Sequence, residues 1–158
     1  MESGAYQKLF PMLEAVQNEN FKLLDKLNQN PEVKFALWLY NQSTTNIQSL
    51  CEHLKCPKDF QQIAELVSMW HHFASEFVDH RPQDILNFFL KSDGLRRQKR
   101  FEIILTTFDN LGINTAHIVQ LQTLLNSIKI SDLKNLNIAQ ELLEERLSVI
   151  ARFLKSTK

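Results

Sequence analysis

Apolar residues in this chain recur every three or four positions and nowhere alternate for long, which is the spacing of helices rather than strands. The longest example steps through Phe60, Ile63, Ala64, Val67, Trp70, His71, Ala74 and Phe77, about five turns of one helix face. Shorter helices are predicted over Ala5–Val16, Asn20–Asn28 and Ile47–Leu54, and from Pro82 through Ile85, Leu86, Phe89 and Leu90. Glu32–Tyr40 is apolar almost all round, the mark of a central helix, and Pro31 suits its first turn. Arg97–Phe108 carries Phe101, Ile104, Leu105 and Phe108 on one face, and a further helix runs from Thr115, its cap, to Asn126. Ile138–Leu154 has a stripe of Leu143, Leu147, Ile150 and Leu154. Thr45 or Asn46 is the candidate cap of Ile47–Leu54, Pro57 suits the first turn of the next helix, and Ser131 caps a short turn. Gly94 is placed as a helix-ending glycine. The expectation is an all-α chain, one compact multi-helix domain of seven to nine helices over residues 1–158.

Composition sharpens this little. The chain has 158 residues, 44% of them apolar and 23% charged, with three glycines and four prolines. It is long enough to bury roughly two-thirds of its unfolded surface. No apolar run approaches the roughly 20 residues that span a bilayer, and no basic-then-apolar leader opens the chain, so no membrane partner and a cytoplasmic location are expected. Cys51 and Cys56 form a single C-x4-C pair, which matches neither a zinc ribbon nor a disulfide framework and reads as two reduced thiols.

Charge changes the picture at one place. Formal net charge is zero, so no overall field draws the chain to a polyanion. Yet Lys91, Arg96, Arg97, Lys99 and Arg100 fall within ten residues beside one acid, Asp93, and at a junction between two amphipathic runs. Dense cations without a pocket suit the phosphates of a nucleic acid better than a small molecule. A helix starting near Arg97 would add unpaired backbone N–H groups. Arg96 and Arg97 are the strongest candidates, because Arg100 can instead turn inward to Asp84 or Asp93. The alternative reading of the whole cluster is a solvated helix start.

The stretch from Pro82 through Ile85, Phe88, Asp93, Arg96 and Arg97 to Arg100 resembles the P-x-x-[IV]-x-x-[FL]…D-x-x-R-[RK]-x-x-R segment of bacterial CCA-adding enzymes, the tRNA nucleotidyltransferases. Three further pieces are similar in order and spacing. Gly4, Ala5, Leu9, Phe10 and Pro11 look like the family's GAL…LFPE element. Ile47–Phe77 looks like its LC..L..P.....LA.LV..FH segment. Ile138, Leu142, Arg146, Leu147 and Ile150 match a closing helix of the form IxxxLxxxRLxxI. The resemblance implies the helical C-terminal body and tail of such an enzyme, supporting tRNA through its phosphate backbone. It implies Mg, CTP and ATP only for the intact parent, with no cofactor in this chain.

That family's chemistry lies in an N-terminal head with a Gly-Ser turn and paired aspartates holding two metals. Nothing here resembles that head. The chain is therefore expected to be a C-terminal fragment, or a partner of a separately encoded head, and not to add nucleotides alone. Many relatives carry an HD phosphohydrolase site in this half. Here Tyr40-Asn41 stand where its His-Asp pair would be, and Gln42-Ser43-Thr44-Thr45 replace its HGHG-type loop. The family's EAD…GR element is poorly matched by Phe108–Gly112.

Two other readings stay open: a metal-dependent phosphohydrolase of HD type, and a helical interaction module. Apart from these, His71, His72, Glu76 and His80 are the rival cluster for chemistry, a metal or a proton relay, with His72 and Glu76 four apart on a predicted helix. No HExxH pattern is present, and His71 on the apolar stripe reads as a hydrogen-bonded core histidine. Trp38 and Trp70 read as core, and Arg146 as structural.

Overall fold

The computed structural model describes residues 30–129 and 137–157. Among them the backbone forms α1 (Pro31–Leu39), α2 (Thr44–Leu54), α3 (Lys58–Ser75), a 3-10 turn (Phe77–Asp79), α4 (Pro82–Lys91), α5 (Gln98–Asn110), α6 (Ala116–Asn126) and α7 (Ile138–Thr157), with no strand. The all-α expectation holds. The helices predicted over Ala5–Val16 and Asn20–Asn28, the Gly4–Pro11 element and the Ser131 turn lie outside the described residues. The helices group into two compact units. One takes in the described residues up to His72 together with Glu102–Ile113; the other takes in Phe73–Phe101 and the described residues from Asn114 onward.

In the first unit α1 is nearly encircled, with Val33, Ala36, Leu37 and Leu39 all buried. Pro31 stands at its first position, where the missing N–H is no loss, and Asn30 caps it by accepting from the Glu32 N–H at 2.9 Å. Leu39, Ile47, Leu50, Cys51 and Ala64 form one cluster, with Phe35, Trp38 and Cys56 packed against it. Val33 and Leu37 pack with Ile103 and Leu111. Each such aliphatic or aromatic side chain taken out of water stabilises by roughly 1.5–3 kcal/mol. The cap of α2 is Ser43, whose Oγ accepts from the Asn46 N–H at 3.1 Å, rather than Thr45 or Asn46. The helix thus starts three residues before Ile47, because Ser43 is the hydroxyl that meets a free N–H. Pro57 sits one residue before α3, its carbonyl accepting from the Phe60 N–H at 3.1 Å.

The second unit has a phenylalanine core. Phe88 lies 5.3 Å from Phe89, and Phe101 lies 5.9 Å from both. Phe77 meets Phe88 at 5.9 Å and Phe89 at 6.1 Å, edge to face. The buried residues of α4 are Ile85, Leu86, Phe88 and Phe89, whereas Leu90 turns outward and is 47% exposed. A 3.6-residue period starting at Ile85 reaches Phe88 and Phe89 before Leu90. α4 and α6 both pack on α7, whose buried residues are Ile150, Phe153 and Leu154. Leu143, expected on that stripe, is 40% exposed. Thr115 precedes α6, but the side-chain oxygen that meets its first turn is Asn114 Oδ1, accepting from the Ala116 N–H at 3.0 Å.

Candidate nucleic-acid interface

The basic junction is a tight elbow, and its geometry begins with Asp93. α4 ends in a pair of crossed hydrogen bonds: Gly94 N–H donates to Phe89 C=O at 2.9 Å and Asp93 N–H to Leu90 C=O at 3.3 Å. This is the Schellman arrangement, and its left-handed position belongs to Asp93 (φ 55°), not to the glycine. Aspartate tolerates that conformation better than most residues. Gly94 is needed for a different reason. A Cβ there would stand 2.9 Å from Cε2 of the buried Phe101 ring and 3.0 Å from Cδ2 and Cζ. The Gly94 carbonyl also accepts from Gln122 Nε2 at 2.6 Å, and that amide reaches Gln98 Oε1 at 3.1 Å. Gln122 is itself buried, so a loop that would otherwise be loose is fastened to α6.

Asp93 then organises the cations. Its carbonyl accepts from the N–H groups of Arg96 at 3.1 Å and Arg97 at 2.8 Å. Its carboxylate meets three guanidinium groups: Arg96 Nη2 at 3.2 Å, Arg97 Nε at 3.8 Å and Arg100 Nη2 at 3.0 Å. The three differ in exposure. The Arg96 side chain is 76% exposed and that of Arg97 52%, whereas that of Arg100 is 12% exposed. Arg100 also donates to Ser92 C=O at 3.3 Å. Its inward turn is therefore to Asp93; Asp84 is held by Arg81 Nε at 2.9 Å. Lys91 and Lys99 are exposed. One carboxylate among five cations leaves the elbow strongly positive while fixing where two exposed forks begin.

The histidines lead elsewhere. His71 Nδ1 lies 3.1 Å from Val67 C=O and 3.0 Å from Ser68 C=O. Carbonyls only accept, so Nδ1 carries the proton and donates. Burial pulls the His71 pKa below its ordinary 6.5, with the neighbouring His72 adding to the effect against the two carbonyl bonds. His80 stacks on Phe73 with centroids 3.8 Å apart. α3 ends at Ser75, so Glu76 is not on the helix that carries His72. Where the HD-like pair would stand, the Tyr40 ring meets His71 edge-on at 5.3 Å, Ser68 Oγ donates to Gln42 C=O, and Ser43 caps α2. These groups serve the fold. Among the described residues no three His, Cys, Asp or Glu side chains converge as metal ligands. Nor is any described helix long and apolar enough to cross a membrane.

Asp93, read from the sequence only as a possible partner of Arg100, organises the elbow, and Arg146 has a noteworthy position. Arg146 stands three residues after Leu143 and four before Ile150, on the apolar stripe of α7, which is an unusual place for a charge.

Comparison with known proteins agrees with the resemblance to CCA-adding enzymes. A CCA-adding enzyme of Coxiella burnetii, found in two strains, is 28% identical over 142 residues, 85% of this chain. The chain is similar to CCA-adding enzymes. A multifunctional CCA protein of Thioalkalivibrio sulfidiphilus is 28% identical over 61 residues, 39% of this chain. The chain spans 37% of the length of the Coxiella relatives and 15% of the Thioalkalivibrio one. No protein-family model matches the chain, and no solved structure matches it significantly.

Proposed function

We propose that this chain is a helical C-terminal portion of a CCA-adding enzyme and that its elbow grips the phosphate backbone of tRNA. The observation that carries this reading is the set of exposed cations that Asp93 gathers at one helix junction. Arg96 and Arg97 fork onto phosphate oxygens, and Lys91 and Lys99 add less directional attraction. Arg100, turned inward, holds Asp93 in place and acts on the RNA through it. Recognition of this kind reads shape and charge rather than base identity. Nucleotide addition from CTP and ATP with Mg belongs to a nucleotidyltransferase head, fused to this portion or separately encoded. The similarity to CCA-adding enzymes supports the assignment of substrate, and the exposure of the cations supports the assignment of surface.

Lysine footprinting tests the surface. In the presence of tRNA, Lys91 and Lys99 should lose reactivity to an acetylating reagent, while Lys58 and Lys155 keep theirs. Equal protection of all four, or of none, rejects the elbow as the contact.

A further inference from the structure

Beside the elbow, in the same unit, lies a cleft of about 430 Å³ lined by Phe89, Leu90, Asp93, Leu95, Arg96 and Arg146. Arg146 comes from α7, 50 residues away from Arg96 in the chain. It is half-buried, its Nε is buried with no hydrogen bond, and among the described residues no carboxylate pairs with it. Burial pulls its pKa down from the ordinary guanidinium value, yet the group stays charged at neutral pH. A partly desolvated cation that lines a cleft and meets no described carboxylate is costly unless something anionic completes it. Asp93 does not do so, since its carboxylate is already shared by Arg96, Arg97 and Arg100. The neighbouring acid Glu145 is taken by Arg152 at 3.4 Å. Phe89, Leu90 and Leu95 give the cleft low-dielectric walls, which strengthen the field of the two cations inside it.

We propose that this cleft is a phosphate subsite in which Arg146 and Arg96 close on one backbone phosphate of an RNA from two sides. The inference rests on the tRNA reading above and adds to it a residue outside the basic cluster. Planar guanidinium forks match phosphate geometry in pairs. The cleft volume falls within the roughly 300–1,000 Å³ of small-ligand sites, which leaves room for a phosphodiester with its adjoining sugar.

The test uses the full chain and fluorescent tRNA titrated at two salt concentrations. Arg146→Gln should weaken binding about tenfold, the share of one charge-assisted hydrogen bond. It should also lower the slope of log affinity against log salt by about 0.7–0.9, one phosphate contact. Arg146→Lys should restore most of the slope but not the affinity, because an ammonium cannot fork. Arg152→Gln, on the same helix, should change neither. Helical circular dichroism and the melting temperature show that each variant is folded, and the lysine variant keeps the stem in place. If wild type binds tRNA and Arg146→Gln matches it in affinity and slope, the subsite is overturned. If wild type does not bind tRNA at low salt, the tRNA reading fails. Titration with inorganic phosphate, followed on the Arg146 Nε–H resonance, then decides: a saturable shift lost in Arg96→Ala supports the subsite, and no shift overturns it.

Discussion

Replacing Asp93 by asparagine removes one charge while keeping the size and the tolerance of φ 55° that the elbow requires. Three ion pairs are lost, but they do not weigh equally. The Arg96 pair is mostly solvated and the Arg97 pair is long at 3.8 Å, so together they contribute at most about 1 kcal/mol. The Arg100 pair at 3.0 Å is different, because that side chain is 12% exposed. Leaving a largely buried guanidinium short of its carboxylate costs about 1–3 kcal/mol. The Ser92 carbonyl and the new amide oxygen offset part of that. The net expectation is a loss of roughly 1–2 kcal/mol, or a fall in melting temperature of about 3–6 °C for a chain of this size. Urea unfolding at low and high salt separates the parts. Screening should erase the contribution of the two exposed pairs and spare most of the Arg100 contribution. Asp93→Ala should lose about a further 1 kcal/mol, from the left-handed backbone. A loss below about 0.3 kcal/mol, or one that vanishes in high salt, would refute the claim that Arg100 anchors the elbow.

Three further outcomes follow from single contacts. Gly94→Ala should destabilise by about 1–3 kcal/mol in urea unfolding, because its Cβ would press on the buried Phe101 ring; the double variant with Phe101→Leu should show coupling between the two sites. His71 is neutral in the fold and has a pKa below its unfolded 6.5, so the unfolded chain takes up the proton first. Stability should be full above about pH 6.5 and decline as the pH falls through that value toward the folded pKa, with a shallower decline in His71→Asn; a pH-independent urea midpoint between 7.5 and 5.5 would contradict this. Burial, reinforced by a hydrogen bond with Cys56 and the charges of Cys56 and Glu65, pushes the Cys51 thiol up to about 12. At pH 8 it should therefore alkylate about a thousandfold more slowly than a free cysteine in the native protein, as mass spectrometry of the modified peptides would show.

Much of this architecture can be read from residue order, because local rules and tertiary packing point the same way. Pro31 and Pro82 mark helix starts, and both stand at the first helical position. The stripe of α3 is followed by Ile63, Ala64, Val67 and Ala74, all buried. Elsewhere the rules compete. Three residue types at the α2 start can cap a helix, and only tertiary placement selects Ser43 over Thr45 and Asn46. A glycine after a helix normally signals the left-handed position, yet at this elbow Asp93 takes it and the approach of the Phe101 ring accounts for Gly94. The adjacent Phe88, Phe89 and Leu90 cannot all face inward, and a one-dimensional pattern does not say which is left out. Among the site residues, the cations were legible as a cluster because they are adjacent in sequence. Their division into two exposed forks and one inward anchor was not, since it depends on where a single carboxylate points. That Arg146 lines the same cleft as Arg96 was not legible either, because it depends on the packing of α7 against α4.

The proposed grip of the elbow on tRNA phosphates can be measured in solution. Titrating fluorescent tRNA at two salt concentrations, beside an Arg96→Ala/Arg97→Ala variant, tests it most directly. Saturable binding by the wild type that weakens with salt is expected. In the variant the affinity should fall and the salt slope should drop by about 1.4–1.8, two phosphate contacts. Equal affinity and slope in a folded variant, or no binding by the wild type at low salt, would contradict it.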